Sequence, residues 1–223
     1  MEPMKTVLQK LNEGRQYRNI DVSSFERRAD GEGEKIVSGY ATTFDAPYEL
    51  FRTVEDGFIY VVKEQVDRNS FAETNLSDVI MQYDHEGRVF ARTSNGTLSL
   101  DADDHGLHIR ADLGGTELGR QLYEEIEGGY TNKMSFGFRV GKDKLERTEE
   151  RDDNGVTTIT VLRTILSISN LYDVSAVSLP ANDATSISAR NFCDGVIAEI
   201  TEEFRKREDQ RRRIRIKSKL MED

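Results

Sequence analysis

The 223-residue chain carries 31 Lys/Arg against 41 Asp/Glu, a net charge of −10, and 32% of it is charged, above the roughly 25% of an ordinary globular domain. That balance argues against binding nucleic acid through the protein as a whole, and no run of about 18 apolar residues is present to cross a membrane. The single cysteine, Cys193, excludes an internal disulfide framework and suits a reducing compartment, while Met1-Glu2-Pro3-Met4-Lys5 lacks the basic-then-apolar layout of a signal peptide.

Residues 1–34 are polar and end at Gly31-Glu32-Gly33-Glu34. They read as a poorly ordered start with one edge strand around Tyr17 to Phe25. From Lys35 the texture changes. Ile36 to Phe44 is β-branched and aromatic and stops at Asp45-Ala46-Pro47, a strand and its turn. Phe58 to Val62 is a second short apolar run, and Gln65 to Leu76 is expected to hold a short helix capped by Asp67. Val79 to Tyr83 reads as a buried strand that delivers Asp84-His85 to its end. Thr97 to Leu100 and Leu107 to Leu113 alternate around a loop of turn formers and predict a hairpin.

Leu118, Leu122 and Ile126 recur every four residues before Gly128-Gly129, the pattern of an amphipathic helix and its stop. In the next strand Met134, Phe136, Phe138 and Val140 face one way, and Ser135, Gly137 and Arg139 the other. Lys142 to Asn154 is a charged excursion closed by Asn154-Gly155, and Val156 to Leu179 is β-compatible throughout. Beyond Arg190, Phe192, Val196, Ile200 and Phe204 predict a second amphipathic helix. Thr201 to Asp223 holds nine Lys/Arg and six Asp/Glu, a net of +3, so the remainder carries −10 − 3 = −13.

Many strands, few helices and no repeating βαβ unit predict an α+β, mainly β fold. Its expected form is a closed or nearly closed β-barrel with peripheral helices and a C-terminal helical tail. The expected division is 1–34, 35–190 for the barrel domain, and 191–223 for the tail.

Nucleophilic hydrolysis needs a hydroxyl or thiol, a base within reach, and a group that orients the base. His105 and His108 share one hairpin and read as exposed residues, with a two-histidine metal site the weaker option. His85 follows a buried strand instead. Ser135 lies opposite the apolar face of its strand, where Gly129 and Gly137 are expected to leave open space and free backbone N–H groups. Asp173 sits between Tyr172 and Val174 in an apolar stretch, so its carboxylate needs a partner, either an imidazole or an arginine. Residues alone make His85, Ser135 and Asp173 a candidate set. Cys193 has no nearby histidine in sequence and reads as a thiol without function.

Six segments in order make the chain recognisable. They are Gly39-Tyr40-Ala41-Thr42-Thr43-Phe44; Glu64 to Ala72; Asp78 to His85; Gly96 to Leu100 with Gly106-Leu107; Gly128-Gly129-Tyr130 through Met134-Ser135-Phe136-Gly137-Phe138; and Leu171 to Ala181. Together they resemble the prohead protease family of tailed bacteriophages, capsid-maturation serine proteases distantly related to herpesvirus assemblin. The resemblance implies Ser135 as nucleophile, His85 as general base and Asp173 as the orienting acid, although relatives commonly carry glutamate at that last position.

It further implies a serine endopeptidase that cleaves the capsid precursor, or its scaffolding domain, and itself. Such an enzyme works inside the assembling prohead in the host cytoplasm, with self-association as a further option. No cofactor, metal, nucleic acid or membrane is implied. The alternative is a non-catalytic internal scaffold built on the same barrel. Because the three candidate residues precede Arg190, the tail is expected to be dispensable for chemistry and to dock on a partner, with Asn191 to Gly195 an exposed, cleavable junction.

Overall fold

Strands form where β-branched and aromatic residues cluster, and they are longer than the sequence signals suggest. The computed structural model describes residues 14–20, 26–28, 35–178 and 187–222. In chain order these give β1 (Gln16–Ile20), β2 (Glu26–Arg28), β3 (Ile36–Thr43), β4 (Tyr48–Glu55), β5 (Phe58–Val66), β6 (Ile80–Tyr83), β7 (Glu86–Arg92), β8 (Leu98–Ala102) and β9 (Gly106–Asp112). Helix α1 (Glu117–Glu127), β10 (Lys133–Arg151), β11 (Thr157–Val177) and α2 (Ile187–Glu222) follow, and a 3-10 turn (Thr93–Asn95) joins β7 to β8.

The strands make two sheets. A four-stranded antiparallel sheet runs β2-β3-β9-β8, and a seven-stranded one runs β1-β10-β11-β5-β4 with β6 and β7 attached beside β11. The 21-residue β11 organises the larger sheet. One edge is antiparallel to β10 throughout. The other edge is parallel first to β5, over Thr157–Ile165, and then to β6, over Asp173–Ala176. A bridge between Phe44 and Val66 links the sheets.

Val37, Ala41, Ile109 and Leu113 of the small sheet and its exit pack with Met81, Phe136, Phe138 and Val174 of the large one in a single core. Leu122, Tyr123 and Ile126 of α1 close part of it. The architecture is mainly β with peripheral helices, and no pairing among the described residues closes the two sheets into one barrel.

Four expectations change. Residues 67–74 form successive hydrogen-bonded turns rather than a helix, because Asp67 accepts the Asn69 N–H at 2.8 Å in a local side-chain turn. Residues 65 and 66 belong to β5. In α1, Leu118 is half-exposed and Gly119 takes the buried position, with Thr116 as N-cap. The charged run from Lys142 is no excursion from the sheet, although Asn154-Gly155 does close the β10–β11 turn. It continues β10 to Arg151, paired residue by residue with β11.

Residues 191–195, expected to be an exposed junction, lie within α2, and Phe192 and Cys193 are buried. With Val196, Ile197 and Ile200 they cover Leu50, Tyr60, Val62, Ile159 and Val161 in a second core. Fully burying an aliphatic or aromatic side chain contributes about 1.5–3 kcal/mol, so this part of α2 supports the sheet. The expected strand from Tyr17 to Phe25 appears as β1, while its residues 21–25, like the Pro180 turn, lie outside the described residues. No helix among the described residues is long and apolar enough to cross a membrane.

Candidate active site

The site begins with the period of two in β10. Met134, Phe136 and Phe138 point into the core, which puts Ser135 and Gly137 on the opposite face. Register with β11 pairs Ser135 with Ser175 and Gly137 with Asp173, and directly paired residues share a face. Serine and aspartate, 38 positions apart in sequence by their numbers (173 − 135), thereby become near neighbours.

His85 arrives from the other side of β11. Strand β6 lies parallel to it, with Tyr83 against Ala176. Asp84 and His85 form the two-residue turn into β7 with φ of 47° and 60°. Positive φ at both central residues marks the hairpin turn whose twist matches its strands, and it is an uncommon conformation for residues with a Cβ. The turn is pinned to β11: the Asp84 N–H donates to Ala176 O at 2.9 Å, and the Asp84 carboxylate accepts from the Ser178 N–H and hydroxyl at 2.9 and 2.8 Å. Asp84 thus builds the turn and leaves the imidazole to a different carboxylate.

That carboxylate is Asp173, whose Oδ2 lies 2.5 Å from His85 Nδ1, while His85 Nε2 lies 2.6 Å from Ser135 Oγ. Ser135 and Asp173 are fully buried, and the His85 side chain is 15% exposed. Burial by itself would raise the Asp173 pKa, yet the hydrogen bond and charge of His85, the Ser175 hydroxyl and Arg15 together hold it below the ordinary carboxylate value. An ionised Asp173 takes the Nδ1 proton as its hydrogen bond, which leaves Nε2 free to accept from the serine hydroxyl.

Three contributors escaped the sequence reading. Ser175 donates to Asp173 Oδ2 at 2.6 Å, Arg15 ion-pairs with Asp173 Oδ1, and the Tyr17 ring packs on the imidazole with centroids 4.3 Å apart. Ser175 follows Asp173 by two positions in a strand, a spacing that places both on one face; nothing local marks Arg15 or Tyr17. Gly137 differs from expectation. A Cβ there would lie 2.2 Å from Asp173 Oδ1, so the glycine makes room for the carboxylate instead of opening an oxyanion space. Gly129 has open space around it.

His105 and His108 sit elsewhere, edge-on to Tyr40. No group of three or more His, Cys, Asp or Glu converges among the described residues as a metal site would require. Burial pushes the Cys193 thiol up to about 12, far from a reactive thiolate.

Beneath β1 lies a buried ionic cluster. Glu64 receives Arg18 at 2.6 and 3.0 Å, Arg163 at 2.7 Å and the Tyr48 hydroxyl at 2.6 Å. The Arg163 guanidinium also stacks under Phe192 of α2, 4.1 Å from the ring centroid. Burial would raise the Glu64 pKa, but the two arginines hold it at about 2.

A hydroxyl, an imidazole and a carboxylate bonded in this order are the constellation of serine hydrolases, able to carry out acyl transfer without help from a metal. Comparison of the chain with known families places it more narrowly. The Caudovirus prohead serine protease family matches residues 20–196, and the chain belongs to that family. It is 26% identical to the prohead protease of Enterobacteria phage HK97 over 181 residues, which cover 80% of this chain and 71% of the relative. No solved structure gives a significant match. The protein is therefore a serine peptidase of the phage capsid-maturation type.

Proposed function

We propose that Ser135 is the nucleophile of this peptidase, His85 its general base and Asp173 the residue that orients the base and stabilises its charged form. The supporting observation is the unbroken hydrogen-bond series from Asp173 through His85 to Ser135. In this reaction Ser135 Oγ attacks the scissile carbonyl as its proton passes to His85 Nε2. The imidazolium, stabilised by Asp173, then returns that proton to the leaving amine. Water, deprotonated by the same imidazole, hydrolyses the acyl-enzyme and regenerates the serine.

The substrates are the capsid precursor or its scaffolding portion, and the protease itself, inside the assembling prohead in the host cytoplasm. The two sheets around one core act as a nearly closed barrel, with 35–190 as the catalytic unit. The basic end of α2, with Arg211, Arg212 and Arg213 exposed, docks on an acidic helical partner, where charge steers encounter. Site-selective labelling by a serine-directed fluorophosphonate, together with cleavage of capsid precursor, tests the mechanism. Ser135→Ala removes one oxygen and is expected to leave the fold intact while abolishing both. Full precursor processing by folded Ser135→Ala protein would overturn it.

A further inference from the structure

Ser135 has one strand on each side. On one side β10 is bonded to β11, which carries Asp173 and cannot leave without dismantling the site. On the other it is bonded to β1, with Asn19 paired to Ser135 and Tyr17 to Gly137. An extended peptide that is to lie along β10 beside the serine has only the second edge available. Residues of the chain's own N-terminal region already occupy it.

The occupation reaches the reacting atoms. Ser135 Oγ lies 3.0 Å from the Arg18 carbonyl oxygen as well as 2.6 Å from His85 Nε2. A hydroxyl has one proton to donate, so a bond to the carbonyl withdraws it from the base. Tyr17 covers the imidazole, and Arg15 takes Asp173 Oδ1 while lying over the Tyr17 and Tyr172 rings. With these in place Ser135 has no exposed surface at all. The strand is anchored from behind by Gln16 and Arg18, whose side chains enter the Glu64–Arg163 cluster on the face away from the serine. Alternation along one short strand thus places blocking groups on one face and anchors on the other.

We infer that residues 15–20 fill the peptide-substrate position on β10 in cis, so that the described conformation is self-blocked and a substrate strand must displace β1. This rests on the assignment of Ser135 as nucleophile. In kinetic terms, only the fraction of molecules with β1 detached can react, and every apparent rate is scaled by that fraction. Strand addition at a sheet edge is the mode of recognition implied for the incoming peptide.

Arg18→Met in the full-length protein keeps a long side chain but loses the bonds to Glu64, which retains Arg163 and Tyr48. Fluorophosphonate should label Ser135 at least about tenfold faster in this variant than in the unaltered protein. A synthetic peptide with the sequence of residues 14–21 should slow it again, and the same peptide with methionine at the Arg18 position should do so poorly. A folded Arg18→Met protein labelled no faster than the parent overturns the inference. Should that variant fold badly, hydrogen exchange of the unaltered protein answers the same question. Labelling of Ser135 should strip protection from the amides of 16–20, and unchanged protection refutes displacement. Rapid labelling of the parent with no effect of Arg18→Met removes the block while leaving the nucleophile standing. Absence of labelling at Ser135 in both proteins overturns the nucleophile, and the inference with it.

Discussion

Gly137→Ala is the substitution through which the geometry of the site can be tested without touching a reacting group. The added methyl would sit 2.2 Å from Asp173 Oδ1 and 3.0 Å from two guanidinium nitrogens of Arg15. Ordinary carbon contacts begin near 3.5 Å, so the carboxylate has to retreat by about 1 Å. It has no slack, since His85 and Ser175 bond one oxygen and Arg15 the other. A shift of about 1 Å in a catalytic group costs about 10²-fold in rate, and complete loss of the orienting acid about 10⁴-fold. The barrier should therefore rise by about 3–5 kcal/mol. Overpacking should also lower stability by about 1–3 kcal/mol.

Single-turnover cleavage of capsid precursor gives the first quantity and thermal unfolding the second. In an Asp173→Ala background the obstructing carboxylate is gone, so Gly137→Ala should then cost little in either measurement. A near-normal rate for Gly137→Ala, or an equal stability loss in both backgrounds, would show that the carboxylate is not confined as described.

Other outcomes follow from the same contacts. Asp173→Asn should lower turnover about 10⁴-fold with the fold kept, because an amide favours the wrong imidazole tautomer. A rate close to normal would assign the orienting role elsewhere. His85→Ala should abolish turnover, whereas His105→Ala and His108→Ala should leave it unchanged. For Glu64, a folded pKa of about 2 against an ordinary 4.5 means stability present above the higher value and lost as pH falls toward the lower. The contribution is about 3 kcal/mol. Glu64→Gln should flatten that acid limb in thermal unfolding while destabilising the neutral protein by about 3–5 kcal/mol, because two buried arginines lose their carboxylate. Truncation after Arg190 should lower the unfolding midpoint sharply by exposing the second core; an unchanged midpoint would show α2 to be an appendage.

Elements with a short repeat were legible in the sequence, and contacts between distant segments were not. Alternation from Met134 to Val140 is enough to put Ser135 away from the core, and His85 stands out because the other two histidines share a hairpin. Asp173 is readable as a buried acid in need of a partner, though nothing local says which. The misreadings share a cause. Asp67 is a helix cap by type but closes a turn, because its side chain bonds the backbone two residues on. The charged stretch after Lys142 lacks apolar alternation yet is held extended by an apolar partner strand. Gly137 suggests open space until register sets Asp173 beside it. Arg15, Tyr17 and Arg18 lie in a polar segment with no marker of function, since their importance comes from partners distant in sequence, Glu64 for Arg18, His85 for Tyr17 and Asp173 for Arg15.

That separation has a consequence for timing. Asp173 and Ser175 lie near the end of β11, and β11 is the strand against which β5, β6 and β10 all align. A growing chain that has emitted His85 and Ser135 still has no partner strand to bring them together, and contacts this distant in sequence form late. No fragment shorter than about the first 177 residues contains the material for the site. The hydrogen-bonded set of Asp173, His85 and Ser135 can thus assemble only after β11 has been made, when β1, which pairs with β10 at Ser135, is already available.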